Sequence, residues 1–216
     1  MKLKSNLDEI LYQKILESLI RGQYAVGEKV MLDELCEQFE VSRTPVVQAV
    51  KMLAKDGVLT VLSNGRAYVP DYGPAVLRQV CEARVLFEQH ALGTVMQDVG
   101  LREKALEAMG GHAELCREHL KEKRYVELAL EDLKLHRSLV RSAGNDILTD
   151  LYPGIQGRFI VANYLARPLR DRDYEGTVRD HFALLELIRK NDAQGARERL
   201  LQHIGGIMAV GRYGDQ

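Results

Sequence analysis

Residues 41–57, VSRTPVVQAVKMLAKDG, leave little freedom of local structure. Ser42 is a side chain suited to cap the free backbone donors of a helix start, and Pro45 falls in the first turn, where a missing N–H costs little. Val46, Ala49, Val50 and Leu53 recur at helical spacing and define a buried face. Gly57 supplies the left-handed residue that ends the helix. The opposite face carries Arg43, Thr44, Val47, Gln48, Lys51 and Lys55, with no acidic residue before Asp56. A short helix with a packed back and a cationic, hydroxyl- and amide-bearing front suits a DNA major groove.

The period of the pattern then changes. VLTVL and RAYVP read as two short strands around Ser63-Asn64-Gly65, which holds the Asn-Gly pair favoured in tight hairpins. A hairpin directly after a recognition helix is a wing, able to lay Arg66 and the backbone at Gly65 along phosphates. Upstream, residues 7–21 place Leu7, Ile10, Leu11, Ile15 and Leu19 on one stripe of an amphipathic helix. QYAVGEK reads as a turn, and MLDELCEQFE as a second short helix with Leu32, Leu35, Cys36 and Phe39 inward. Helix, helix, helix and hairpin in this order predict a winged helix-turn-helix DNA-binding domain over residues 1–70.

DYGPA, residues 71–75, carries the linker signal of Gly beside Pro. Beyond it the sequence is helical. Residues 76–216 predict an antiparallel six-helix bundle, so the fold class is mainly α. The first bundle helix presents Val76, Val80, Ala83, Phe87 and Ala91 along one face. Gly110-Gly111 predicts a break in the second, and Pro153-Gly154 a bend in the fourth. Asn145 and Asp192 are placed to begin helices, and RPLRDRDYEG is a charged loop.

A net charge of −1 excludes a protein that is basic overall, but not DNA binding, since the location of charge matters more than its sum. Between residues 42 and 70 Asp56 is the sole acid among Arg43, Lys51, Lys55 and Arg66. No apolar run reaches the roughly 20 residues of a membrane span and no signal-peptide core opens the chain, so a cytoplasmic protein is expected. Cys36, Cys81 and Cys116 are scattered outside any CxxC spacing, which fits reduced thiols.

The bundle contains one pattern that packing alone does not require. Asp132 and His136 lie four apart and project from one helix face, while His181 and His203 interrupt the apolar stretches HFALLELI and LLQHIGGIM. Three imidazoles and a carboxylate from facing helices can chelate a divalent transition metal, although hydrogen-bonded core histidines produce similar spacings. An open metal position could activate water, so a metalloenzyme acting on a small acid is the competing class. No further carboxylate or histidine stands where a general base is needed. His90, His112 and His119 fall on polar helix faces. Arg84 either pairs with Glu88 four residues on or turns its fork to a carboxylate ligand in the bundle.

The segment from GQYAVGEKV through VSRTPVVQAVKMLAKDG to NGRAYV resembles the winged domain of GntR-type transcriptional regulators. EARVLFE, D-x-x-x-H followed by AGN, then DH and a late His resemble the ligand-binding domain, termed FCD, of the FadR branch. Six bundle helices are similar to its shorter, VanR-like variant. The resemblance implies a homodimer that binds a palindromic operator, usually as a repressor released by a metabolite. It further implies Asp132, His136, His181 and His203 as ligands of zinc, nickel or manganese, with Arg84 holding the carboxylate of a small organic acid. A third reading is a metal-responsive regulator, in which the ion itself is the signal. One departure concerns the usual SRTPVREAL, which here is SRTPVVQAV. Val47 replaces a base-reading arginine, so an operator altered at that base is expected.

Overall fold

A computed structural model describes residues 2–165, 169 and 172–210. The chain opens with α1 (Lys2–Ile20), β1 (Lys29–Val30), α2 (Leu32–Phe39) and α3 (Arg43–Lys55), followed by β2 (Thr60–Val61) and β3 (Ala67–Tyr68). Leu11, Ile15, Leu16 and Leu19 of α1 are buried with Val46, Ala49, Val50 and Leu53 of α3 and Leu35 of α2. The α1 stripe is therefore rotated from the expected one. Leu7 and Ile10 are exposed, at 37% and 45%.

Helix α3 begins after Ser42, whose backbone is extended but whose side chain makes no capping hydrogen bond. Gly57 takes φ +75 just past its end. The hairpin closes through Leu62 N to Arg66 O and Gly65 N to Leu62 O, with Gly65 at φ +78 and Asn64 Oδ1 accepting from Arg66 N. The sheet has one more strand than the pattern suggested. β1 pairs antiparallel with β3, which pairs with β2, so Lys29, the last residue of the expected turn, and Val30 after it are sheet. Two residues are too few for period-two alternation to show, and the pairing is what makes them a strand.

The second part consists of α4 (Pro74–Gln97), α5 (Val99–Lys121), α6 (Tyr125–Ser142), α7 (Asp146–Phe159), α8 (Tyr174–Arg189) and α9 (Ala193–Val210). Asp98, Asn145 and Asp173 each accept a backbone N–H three residues on and so cap α5, α7 and α8. Asp192 Oδ1 accepts from Gly195 N at the start of α9. Pro74, expected in the linker, already stands in the first turn of α4. The expected break at Gly110-Gly111 is absent, and α5 runs through both residues. Neither meets any neighbour within 4 Å of where a Cβ would stand, so these glycines face open space rather than a kink. Pro153 sits inside α7, and the irregularity follows it, where Ile160–Leu165 continue as a π-helical segment. The charged loop expected over 167–176 falls partly outside the described residues, and its end, Tyr174 to Gly176, belongs to α8.

Helix α4 contacts α5, α6, α7 and α9, and α8 lies between α5 and α9, so α4 and α6 form the middle of the bundle. The winged part rests on it. Tyr12 donates to Asp56 Oδ2 at 2.8 Å, Tyr72 to Gly57 O at 3.1 Å, and Arg21 reaches Glu127 at 2.8 Å. Gly157 of α7 lies directly on the Asp56 carbonyl. Among the described residues no helix is long and apolar enough to cross a membrane.

Candidate functional site

Helix α6 turns Asp132 and His136 inward one turn apart, while α8 delivers His181 and α9 delivers His203 to the same point. One ligand atom from each lies within 4.8 Å of all the others. His136 Nε2 and His203 Nε2 are 3.2 Å apart, and Asp132 Oδ1 stands 3.1 Å from His181 Nε2 and 3.7 Å from His136 Nε2. Two nitrogens about 2.0–2.1 Å from a tetrahedral ion stand about 3.3 Å from each other. The spacing therefore fits a first-row divalent ion.

His181 supplies an independent test of that fit. It is 1% exposed, and neither ring nitrogen has a hydrogen-bond partner, because the approach to Asp132 lacks hydrogen-bond geometry. Burial brings its pKa down to about 4 despite the pull of Asp132, so the ring is a neutral donor. A buried imidazole with both nitrogens idle is costly unless something occupies the lone pair. Burial would raise the Asp132 carboxyl, but His136 and His181 outweigh it and hold the group ionised. These four residues fit a metal, and the carboxylate/imidazole set suits zinc, nickel or manganese.

Behind the ligands lies a layer that the sequence reading missed in part. Arg84 Nε donates to Glu88 Oε1 at 2.9 Å, Tyr152 OH donates to the same oxygen at 2.6 Å, and Glu88 Oε2 stands 2.6 Å from His136 Nδ1. Arg84 and Glu88 are 1% and 0% exposed, and the guanidinium lies 4.2 Å from the centre of the Phe159 ring. The expected four-residue pairing is thus present, buried rather than solvated. Arg84 Nη1 has no hydrogen-bond partner. Burial pushes the Glu88 carboxyl up, but Arg84 and His136 outweigh it and hold it at about 2.

The buried stripe of α4 runs Leu77, Val80, Cys81, Arg84, Glu88, Ala91, Leu92 and Val95. It is turned from the face expected over Val76, Ala83 and Phe87. A reading of the stripe through 77, 81, 84 and 88 would have buried both charges and singled out Glu88. Two further polar contacts frame the ligands. Tyr164, on the π-helical segment, donates to Asp132 Oδ2 at 3.0 Å, and Asp180 Oδ2 stands 3.5 Å from His203 Nδ1.

A cavity of about 1180 Å³ opens onto Asp132 and His203. Its other walls include Tyr164, Arg172, Thr177 and Gln202 of the bundle, together with Ala25, Val26 and the stretch Asp71–Pro74. Arg84 does not line it. Of the remaining histidines His90 is exposed, but His112 is half-buried and lies 2.7 Å from Glu131, and His119 is half-buried with no partner for Nδ1. The expectation of solvated rings is corrected for those two. They lie away from the metal cluster, on α5. The three cysteines are unpaired, and burial pushes the Cys81 thiol up to about 11.

On the winged part Arg43, Thr44, Gln48, Lys51, Lys55, Gly65 and Arg66 are exposed, and Val47 is half-buried. Arg43 forms an ion pair with Asp33 of α2, both more than half exposed.

Residues 7–69 match the bacterial regulatory proteins of the gntR family, and residues 79–206 match the FCD domain. The chain belongs to the GntR family, with an FCD domain. The Uxu operon regulator of Haemophilus influenzae is 27% identical over 90% of this chain and 78% of its own length. Escherichia coli McbR/YncC superposes with a TM-score of 0.80 at 16% identity, covering 97% of this chain and 99% of its own. The metal-free FCD domain of TM0439 superposes with a TM-score of 0.54 at 21% identity, over 67% of this chain and 99% of its own. At these identities the two structures establish the fold. This GntR/FCD chain is a DNA-binding transcriptional regulator and not an enzyme.

Proposed function

We propose that the chain is a metabolite-responsive regulator, a repressor, that binds a palindromic operator as a homodimer. It senses a small organic acid at a divalent metal held by Asp132, His136, His181 and His203, with zinc first and nickel or manganese next. Residues 1–70 bind DNA, 71–75 form the linker and 76–216 sense the ligand. Arg43, Thr44, Val47 and Gln48 face the bases, while Lys51, Lys55, Gly65 and Arg66 meet phosphates.

The observation that carries this reading is the wall of the cavity. Asp132 and His203 line it at one end, and Ala25, Val26 and the linker Asp71–Pro74 line it elsewhere. A bound acid would touch metal ligand residues and the linker at once. The ion supplies a positive charge on which a carboxylate can settle. Arg84 lies outside the cavity wall and is buried, but its Nη1 has no partner, so it becomes the second anchor where the carboxylate reaches past the metal ligands.

A second contact path supports coupling to DNA. Tyr152 on α7 reaches Glu88, Tyr164 just beyond α7 reaches Asp132, and Gly157 between them rests on the end of α3. A helix tied to the site at two points and seated on the recognition helix can convert ligand binding into a change of operator affinity. A coupling of about 1–3 kcal/mol suffices.

The test is elemental analysis of the purified protein with mass spectrometry of retained small molecules. Operator anisotropy titrations at fixed metal with varied acid, and the converse, complete it. Stoichiometric metal and an acid that weakens operator binding are expected. Operator binding that responds to metal alone would identify the ion as the signal and overturn the role of the acid.

A further inference from the structure

We propose that Glu88 is a positioning residue for the metal centre: it takes the Nδ1 proton of His136 as a hydrogen bond and so presents Nε2 to the ion. The inference rests on the metal reading above. Three distances carry it. Glu88 Oε2 lies 2.6 Å from His136 Nδ1, while Arg84 Nε at 2.9 Å and Tyr152 OH at 2.6 Å both donate to Oε1.

A carboxylate only accepts, so a proton must stand on the imidazole nitrogen facing it. His136 Nδ1 therefore carries hydrogen, and the lone pair is left on Nε2. That atom faces His203 Nε2 at 3.2 Å, inside the ligand cluster. Without Glu88 the ring could adopt either tautomer, and one of the two has N–H pointing at the ion.

The neighbours of Glu88 explain why a buried carboxylate can serve here. It is 0% exposed, and an isolated carboxylate at such a site is expensive. Arg84 neutralises it, and the two donors on Oε1 leave Oε2 for His136. Both Glu88 oxygens are thus partnered by protein groups, with Arg84 Nη1 left over. Arg84 thus acts on the metal through Glu88 and His136. The cluster is a carboxylate–imidazole–metal relay of the kind that raises ligand basicity and fixes ring orientation. His203 has a looser counterpart in Asp180 at 3.5 Å, which is partly exposed and shared with Arg199. Glu88 is the dry and fully partnered one.

Nitrogen-15 NMR of the full-length metal-free protein reads the proton directly. A slowly exchanging Nδ1–H on His136 is expected, and an unprotonated Nδ1 overturns the proposal. Loading with cadmium-113 should show coupling to His136 through Nε2, and coupling through Nδ1 overturns it too. Zinc affinity is then measured by chelator competition for wild type and for the double variant Arg84→Met/Glu88→Met, which leaves no buried charge unpaired. The double variant should bind zinc about 10–100-fold more weakly, and equal affinity refutes the role. Should the double variant fail to fold, the wild-type proton and cadmium signals still decide the matter. Absence of zinc binding by wild type would end the metal reading, whereas the Nδ1 proton would still report on Glu88.

Discussion

Replacing Gly157 by alanine should act on the contact between sensor and recognition helix more than on either part alone. A Cβ at Gly157 would overlap the Asp56 carbonyl oxygen and lie 2.8 Å from its carbon and 2.9 Å from Val58 Cγ2. Ordinary carbon contacts begin near 3.4 Å, and the obstacle is backbone, which cannot swing aside as a side chain can. The end of α3 must move by several tenths of an ångström or more. Overpacking of this kind costs about 1–3 kcal/mol. Alanine also gains about 0.5–1 kcal/mol over glycine inside a helix, which partly conceals the clash.

Gly154, one turn earlier on α7, removes that ambiguity. A Cβ there meets only Arg158 Nη1, at 3.5 Å, an ordinary contact. Gly154→Ala therefore carries the helix gain without the clash and should stabilise slightly. The difference between the two variants isolates the contact with α3, about 1–3 kcal/mol. For a chain of this length each kcal/mol moves Tm by about 2–4 °C. Calorimetry should place Gly157→Ala below wild type and Gly154→Ala at or above it. Operator titrations with and without zinc should show a changed zinc response for Gly157→Ala alone. Equal shifts of Tm in the same direction for both variants would refute the reasoning.

Three further outcomes follow from the same geometry. His181 has a folded pKa of about 4 against an ordinary 6.5, so its contribution is present above 6.5 and lost as pH falls towards 4. That shift is worth about 3 kcal/mol, and urea denaturation of chelator-treated protein should show it as a slope missing from His181→Gln. Identical slopes would remove it; His136, raised and therefore opposite in sign, is common to both proteins. Asp33→Asn releases Arg43 from an exposed pair worth at most about 1 kcal/mol. Operator affinity should then rise a few-fold over that for random DNA, because the freed Arg43 faces a base; an equal rise for random DNA contradicts this. Val47→Arg should shift the operator selected from random DNA at one base per half-site, and identical selected sequences would show that residue 47 reads no base.

The stretches that were legible in the sequence share one property: each is specified by neighbours close along the chain. The α3 pattern with its terminal Gly57, the Asn-Gly hairpin, and the helix starts at Asn145 and Asp192 are all local. So is the four-residue step that aligns Asp132 with His136. What escaped depends on partners distant in sequence. Lys29–Val30 is a strand only because β3 lies beside it. Gly110-Gly111 contains the residues of a break, yet the packing of α5 along α6 and α8 keeps the helix continuous.

The orientation of α4 is the instructive case, since two stripes one residue apart fit its apolar positions almost equally well. The stripe through Phe87 keeps charges out of the core, and hydrophobicity alone prefers it. The observed stripe buries Arg84 and Glu88, which is tolerable only because His136 from α6 and Tyr152 from α7 complete their hydrogen bonds. Neither partner can be assigned before the bundle is assembled. The same face also buries Leu77, Cys81, Leu92 and Val95, so apolar packing and the completed polar network act together in orienting α4. A sequence in which Glu88 and Arg84 were both apolar would bury the same face with nothing to orient His136. The one departure from simple amphipathic patterning in α4 thus marks where the sensor is built.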